Sequence, residues 1–113
     1  MQNQINSLIQ QAFTYIQNKN FAASKQLLKN VLQLKPNDFN AHNLLSVIYT
    51  EEGKTKECIE HLKKALKIEP NNGIANYNMA NALMLDNRHS QALPFHSKAA
   101  QLNPNDYWVN TNY

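Results

Sequence analysis

Apolar residues recur along the chain at intervals of three and four, the spacing that gives a helix one apolar face. Residues 41–49 carry one such stripe and residues 58–66 carry another. Gly53 lies between them, where the end of a helix favours a residue in the left-handed backbone conformation. Pro70 follows the second stripe and ends it, because proline cannot extend a helix. The pattern predicts a hairpin of two helices over residues 39–72.

The hairpin pattern repeats along the chain. Pro36, Pro70 and Pro104 are equally spaced, and each precedes an Asn and then an Asn or Asp. A fixed period of this length is typical of stacked repeats. We therefore predict a single domain over residues 1–113. Its repeats are residues 5–38, 39–72 and 73–106, and residues 107–113 start a truncated fourth repeat.

Other positions follow the same register. Small residues recur where neighbouring helices must approach closely, at Ala12, Ser46 and Ala80 in the first helices and at Ser24, Cys58 and Ala92 in the second helices. The position between the two helices holds Lys19, Gly53 and Asn87. Lysine is the departure among these, since a side chain disfavours the left-handed conformation.

We call a set of equivalent positions in successive repeats a column. These columns together resemble the tetratricopeptide repeat (TPR), a helix-turn-helix unit of about 34 residues. The resemblance implies an all-α fold, a right-handed α-α superhelix of antiparallel helix hairpins, and a function in protein–protein interaction. One column departs from the family pattern, because the family most often has Trp at this position. The polar residues in this column predict a looser or wetter packing layer. That column holds Leu8, His42, Asn76 and Asn110. Pro94 is expected to tighten the first turn of a helix capped by Ser90 without breaking it.

Charge and composition narrow the class of partner. The net charge of +3 matches the excess in the first repeat, where four lysines stand against Asp38. Arg88 is the sole arginine, so the forked phosphate contacts of nucleic-acid binders are scarce and no nucleic acid is expected. No stretch approaches the roughly 18 apolar residues of a membrane span, so no membrane partner is expected. Residues 1–17 lack the features of a secretory signal and Cys58 is the only cysteine, which favours a cytoplasmic protein.

Candidate chemistry is sparse, and we predict that the chain is not an enzyme. Cys58 and His61 are three residues apart, as two metal ligands on one helix would be. A structural thiol and a solvated imidazole are the favoured interpretation. His96 is expected to be a partly buried, neutral imidazole. With only two glycines there is no glycine-rich phosphate loop, and no catalytic residue, metal or cofactor is expected.

The resemblance also implies a binding surface. In such arrays the first helix of each hairpin lines the concave side, where ligands lie. The implied peptide-binding groove consists of Ile9, Phe13, Asn43, Leu44, Val47, Tyr77, Asn78, Asn81, Trp108 and Asn112. The rings among them either anchor a partner or pack on the next hairpin, and the asparagines suit an extended backbone. The Lys, Asn and Arg clamp with which similar co-chaperones hold acidic chaperone tails lacks its cations here, which disfavours such tails.

Two functions follow from these expectations. The first is a scaffold or adaptor that binds a peptide or helix of a partner protein in the groove. The alternative is the substrate-recruiting N-terminal arm of a larger enzyme, such as a bacterial glycosyltransferase or sulfotransferase. We also expect self-association through the C-terminal edge, with Trp108 and Tyr113 packing on another copy, because the last hairpin otherwise leaves apolar residues in water.

Overall fold

The computed structural model describes residues 1–102, which fold into three stacked helix hairpins. The helices are α1 (Gln2–Gln17), α2 (Phe21–Leu34), α3 (Phe39–Glu51), α4 (Thr55–Ile68), α5 (Gly73–Leu85) and α6 (His89–Leu102). Each odd-numbered helix packs on the next helix in the chain, and contacts of α2 with α3 and of α4 with α5 join the hairpins. The predicted all-α solenoid of helix hairpins is confirmed. Pro104 and the predicted fourth repeat, residues 107–113, lie outside the described residues.

Each hairpin ends its first helix with the same hydrogen bonds. Lys19, Gly53 and Asn87 have φ angles of 61°, 75° and 61°. In each turn, the amide of this residue donates to the carbonyl of the residue three positions before it, at 2.9–3.1 Å. The amide of the following residue donates to the carbonyl of the residue five positions before itself, at 2.8 Å. This is the Schellman arrangement, which satisfies the last carbonyls of a helix. Lys19 therefore takes the left-handed position even though it carries a side chain.

The residues after each proline begin the next hairpin. The Asp38 side chain accepts a hydrogen bond from the Ala41 amide at 2.8 Å, and the Asn72 side chain accepts one from the Ala75 amide at 2.9 Å. Both are N-caps, which satisfy amides that the first turn of a helix leaves free. The repeated motif thus ends one hairpin with proline and starts the next hairpin with a cap.

The apolar core lies between the hairpins and forms two clusters. The first joins α1, α2 and α3, and its buried members are Ile5, Ala12, Leu28, Val31, Ala41, Leu45 and Ile48. The second joins α4, α5 and α6, and its buried members are Cys58, Ile59, Leu62, Met79, Ala80, Ala82, Leu83 and Ala92. Each hairpin therefore depends on its neighbour to bury its apolar side chains.

His42 and Asn76 stand in the column where the family most often has Trp, and both are tightly packed. The prediction of a looser or wetter layer is therefore wrong for these two residues. Both side chains are buried. His42 Nε2 donates to the carbonyl of Pro36 at 2.9 Å, and Asn76 Nδ2 donates to the carbonyl of Pro70 at 3.0 Å. Each side chain thus satisfies the carbonyl of the proline six residues before it, a carbonyl that the end of the preceding helix leaves available. Asn110 lies outside the described residues.

Pro94 lies further inside its helix than expected. The helix α6 begins at His89, so Ser90 lies within its first turn and is not the cap. The missing amide of Pro94 removes one bond, to the Ser90 carbonyl. The helix nevertheless continues to Leu102, as expected of a proline close to a helix start.

Candidate functional site

Ionised side chains are distributed unequally between the two sets of helices. The first helices, α1, α3 and α5, contain only one such residue, Glu51 at the end of α3. The second helices carry Lys25, Lys29, Lys56, Glu57, Glu60, Lys63, Lys64, Lys67 and Lys98. The face formed by the first helices is therefore almost free of charge, although the chain as a whole is basic.

An open cleft of about 430 Å³ lies on this face, between α1 and α3. It is lined by Ile9, Gln10, Phe13, Thr14, Asn40, Asn43 and Leu44. The cleft brings together four of the predicted groove residues: Ile9, Phe13, Asn43 and Leu44. Phe13 is 48% exposed, which is unusual for a phenylalanine in a folded domain. The lining combines three apolar side chains with three amides and one hydroxyl, and it includes no ionised group.

Asn43 is the least satisfied polar group in the cleft. Its Oδ1 atom is buried and accepts no hydrogen bond from the described residues. A buried acceptor without a donor costs about 1–3 kcal/mol. A ligand N–H reaches this oxygen only when the amide turns towards the cleft, and the amide would then offer an acceptor to a ligand with donors, such as an extended peptide backbone.

The other predicted groove residues differ in accessibility. Val47, Asn78 and Asn81 are half-buried. Tyr77 is only 6% exposed, and its ring meets the His96 ring edge-on at a centroid distance of 6.1 Å. Tyr77 therefore belongs to the packing of the third hairpin, which was the alternative to an anchoring role. His96 is half-buried, as expected of its column. Trp108 and Asn112 lie outside the described residues.

Thr14 is a cleft residue that the sequence reasoning missed. Its column holds Ile48 and Ala82 in the next two repeats, and both of these are buried against the preceding hairpin. The first hairpin has no predecessor among the described residues, so Thr14 is exposed and the cleft extends onto it. A polar residue in a column of buried apolar residues could have indicated this.

A second cleft, of about 340 Å³, has the opposite character. It is lined by Lys56, Glu57, Ile59, Glu60, Lys63, Asp86 and Arg88. Three cations and three carboxylates face the cleft, and Arg88 Nε already lies 3.4 Å from Asp86 Oδ2. Such mixed, exposed charges largely neutralise one another and are typical of a solvated surface.

The histidines form a packed pair within the second hairpin. His42 Nδ1 lies 3.1 Å from His61 Nδ1, and His61 stacks on Tyr49 at a centroid distance of 5.5 Å. Because His42 Nε2 donates to a carbonyl, its Nδ1 is the acceptor when the ring is neutral, and His61 is the donor. Burial, with help from the neighbouring His42 and Lys64, lowers the pKa of His61 to about 4. The expectation of a solvated His61 imidazole is met only in part, because the ring is half-buried against His42 and Tyr49.

Cys58, three residues before His61 on the same helix, is a buried packing residue. Its Sγ lies 3.1 Å from Thr50 Oγ1, and burial raises the pKa of the thiol. A raised pKa keeps the sulfur protonated and unreactive. Within residues 1–102, no three His, Cys, Asp or Glu side chains are grouped so that they could hold a metal ion. Across the same residues, no helix combines the length and apolarity needed to cross a membrane.

Comparisons with solved structures give the same architecture. A mutant of MamA is 29% identical with a TM-score of 0.77, and the match covers 88% of this chain and 72% of that chain. MamA AMB-1 is 29% identical with a TM-score of 0.79, covering 89% and 55%. A mutant of the Thermobaculum terrenum O-GlcNAc transferase has a TM-score of 0.85 over 89% of this chain and 19% of that chain. At 24% identity, this last match shows a likeness of fold alone.

Family models match two parts of the chain. A model described as tetratricopeptide repeat matches residues 5–38, and a model described as TPR repeat matches residues 47–87. A comparison with curated protein sequences gives no significant match. The stacked hairpins, the equally spaced columns and these matches lead to one conclusion: the chain belongs to the tetratricopeptide repeat family, whose arrays are scaffolds for protein–protein interaction.

Proposed function

We propose that this chain binds an uncharged segment of a partner protein along its first helices, with the main contacts in the cleft between α1 and α3. The observation that carries the proposal is the charge-free lining of that cleft, together with the exposed ring of Phe13. The groove comprises Ile9, Phe13, Asn43, Leu44, Val47, Asn78 and Asn81, extended by Gln10, Thr14 and Asn40. This role is that of a scaffold or adaptor, without chemistry of its own.

The lining selects against charged ligands. A charged side chain that is buried without a partner costs several kcal/mol, and the cleft offers no ion to pair with it. An apolar side chain gains about 25 cal/mol for each Å² that it buries against Ile9, Phe13 and Leu44. The backbone polar groups of the same ligand can pair with the amides of Gln10, Asn40 and Asn43. An uncharged, partly apolar segment therefore fits this surface best.

Selection from a random peptide library tests the proposal. The chain and its Phe13→Ala variant are each used as bait, and peptides kept by the first but not by the second are sequenced. We expect these peptides to be depleted in Asp, Glu, Lys and Arg. Their affinity should fall by about tenfold or more in the variant, as for an aromatic anchor. It should change by less than about twofold across a tenfold range of salt concentration, because no ion pair forms.

Tyr15→Ala is the matched control. Tyr15 is an exposed aromatic residue of the same helix, 38% accessible, but two residues from Phe13 it points to another side of α1. Its replacement should leave peptide binding unchanged. A different outcome would contradict the proposal: selected peptides that are acidic, bind Phe13→Ala with unchanged affinity and no longer bind Lys29→Ala. The binding site would then lie on the basic second helices.

A further inference from the structure

One asparagine of the chain is followed directly by glycine: Asn72, at the start of the third hairpin, precedes Gly73. An asparagine side chain is most reactive in this setting, because the backbone nitrogen of the next residue can attack its Cγ carbon and glycine has no Cβ to shield that nitrogen. Every other asparagine precedes a residue that carries a side chain. The sequence therefore places one labile side-chain amide at the junction of the second and third hairpins.

In the folded chain this side chain is a helix cap, and the closed first turn of α5 protects it. Asn72 Oδ1 accepts a hydrogen bond from the Ala75 amide at 2.9 Å, and Gly73 is buried. The Asn72 ψ angle of 117° turns the Gly73 nitrogen away from Cγ. The attack requires a rotation about the Cα–C bond that brings this nitrogen over Cβ. The first turn of α5 must therefore open before the side chain can react, and the cap opposes that opening.

The first turn of α5 is also a place where opening is expected. Asn71 is exposed and Asn72 is half-buried. Gly73 has more backbone freedom than a residue with a side chain and favours the helix less. Its amide is one of those that a helix start leaves without an intrahelical acceptor. Helix ends open at a lower free-energy cost than the whole domain, so the reaction can proceed in the folded chain.

We propose that Asn72 is a site of spontaneous deamidation, controlled by the opening of the first turn of α5. The Gly73 nitrogen loses its proton and forms a bond to Asn72 Cγ, and the Nδ2 group takes up a proton and leaves as ammonia. The product is a five-membered succinimide ring. Water then adds to one of the two ring carbonyls and breaks its bond to the nitrogen. The net reaction consumes one water and releases one ammonia, and it does not depend on a ligand in the groove.

Ring opening at Cγ gives aspartate, which has a counterpart within the chain. Asp38 occupies the same column and is the cap of α3. Lys35 Nζ lies 3.9 Å from Asp38 Oδ2, whereas the column of Lys35 holds Glu69 one repeat later. Glu69 Oε1 accepts a hydrogen bond from Asn72 Nδ2 at 3.4 Å. Aspartate at position 72 can still cap α5, but it replaces this donor by a second carboxylate that repels Glu69.

Ring opening at the backbone carbonyl gives isoaspartate, in which the chain continues through the former side chain. The backbone is then longer by one methylene, directly before α5. In the unmodified chain the Asn72 carbonyl accepts hydrogen bonds from the Asn76 amide at 3.0 Å and from Asn76 Nδ2 at 2.8 Å. The extra methylene displaces the carbonyl and removes the cap geometry. Isoaspartate therefore weakens the start of the third hairpin, and the modified chain should unfold at a lower urea concentration.

Mass spectrometry of the full chain, incubated for weeks at mildly alkaline pH, tests the proposal. The tryptic peptide of residues 68–88 contains both Asn72 and its neighbour Asn71. Relative to a sample digested at the start, we expect deamidation at Asn72, with aspartate and isoaspartate resolved by chromatography, and an unchanged Asn71. In urea the rate should rise by about tenfold or more, because the folded chain reacts only from its open fraction.

Gly73→Ala is the matched variant, since its Cβ shields the attacking nitrogen. Circular dichroism is expected to show that it folds, because the same column holds Phe39 in the second repeat. Its reaction should be lost both in buffer and in urea, where the stability of the helix has no influence. Deamidation that persists in Gly73→Ala would overturn the proposal, as would a folded chain that keeps Asn72 intact while the chain in urea converts. Equal rates with and without urea would refute control by the first turn of α5.

A double-mutant cycle tests the predicted repulsion by Glu69. Asn72→Asp is the aspartate product, and Glu69→Lys added to it reproduces the pair of Lys35 and Asp38. Glu69→Lys should raise the urea midpoint of Asn72→Asp more than it raises that of the unmodified chain. Equal effects in the two backgrounds would refute the repulsion.

Discussion

Replacement of Leu62 by alanine perturbs the core most directly. Leu62 is fully buried in the cluster that α4 shares with α5 and α6. The substitution removes three carbon atoms, which corresponds to a transfer free energy of about 2 kcal/mol. Its cluster neighbours Cys58, Ala80 and Ala92 are too short to fill the space, so a cavity term adds to this value.

We therefore expect the free energy of unfolding to fall by about 3–4 kcal/mol, within the range measured for buried leucines. A domain of this size has a total free energy of unfolding of about 5–15 kcal/mol, so the loss is a large fraction of its stability. The melting temperature should fall by about 10–30 °C. Urea denaturation followed by circular dichroism measures the change, and an unaltered slope with denaturant shows that the same structure unfolds.

Leu85→Ala is the control, because it removes the same atoms from an exposed position. It should change the free energy of unfolding by less than about 0.5 kcal/mol. If Leu62→Ala also changed the free energy of unfolding by less than about 0.5 kcal/mol, the assignment of its column to the contact between hairpins would be refuted. Similar large losses for both leucines would also contradict the reasoning, since burial would then not decide the cost.

Three further substitutions or conditions test the polar and backbone features of the fold. Asn76→Ala leaves the Pro70 carbonyl without its side-chain donor and should cost about 1–3 kcal/mol, measured by the same urea titration. Lys19→Gly should raise the free energy of unfolding by about 0.5–1 kcal/mol, because glycine takes a φ of 61° without strain; a destabilised variant would contradict this. His61 has a lower pKa in the folded chain than in the unfolded chain, so the unfolded state binds the extra proton first. Stability should therefore be complete above about pH 6.5 and fall as the pH drops towards 4, and His61→Gln should flatten that part of the stability profile.

Much of the fold was predictable because local chemistry decides it. The prolines end helices, Gly53 and Asn87 tolerate positive φ, and the apolar columns have the helical period, so each hairpin follows from its own sequence. The partners of His42 and Asn76 were not predictable in this way. Each donates to the carbonyl of the proline six residues earlier, a contact that depends on how the turn between two hairpins folds, which the apolar pattern does not specify. Because the family most often has Trp in this column, polar residues there indicated loose packing. The folded chain instead gives both side chains hydrogen-bond partners.

The candidate site was predictable in part for a related reason. The family register placed Ile9, Phe13, Asn43 and Leu44 on one face, and the structure brings them to one cleft. The register says which side of a helix a residue occupies, but it does not say how closely the next helix covers it. Tyr77 shows this limit, because its ring is on the predicted helix and yet packs against His96.

The most direct test of the central claim is a map of the bound peptide on the chain. Nuclear magnetic resonance of the labelled protein, titrated with a library-selected peptide, reports which amides change their environment. Binding in the proposed groove predicts the largest shifts in α1 and α3, around Phe13 and Asn43, with small shifts along α2 and α4. The largest shifts around Lys25, Lys29 and the lysines of α4, with none near Phe13, would contradict the claim that the uncharged face of the first helices is the binding surface.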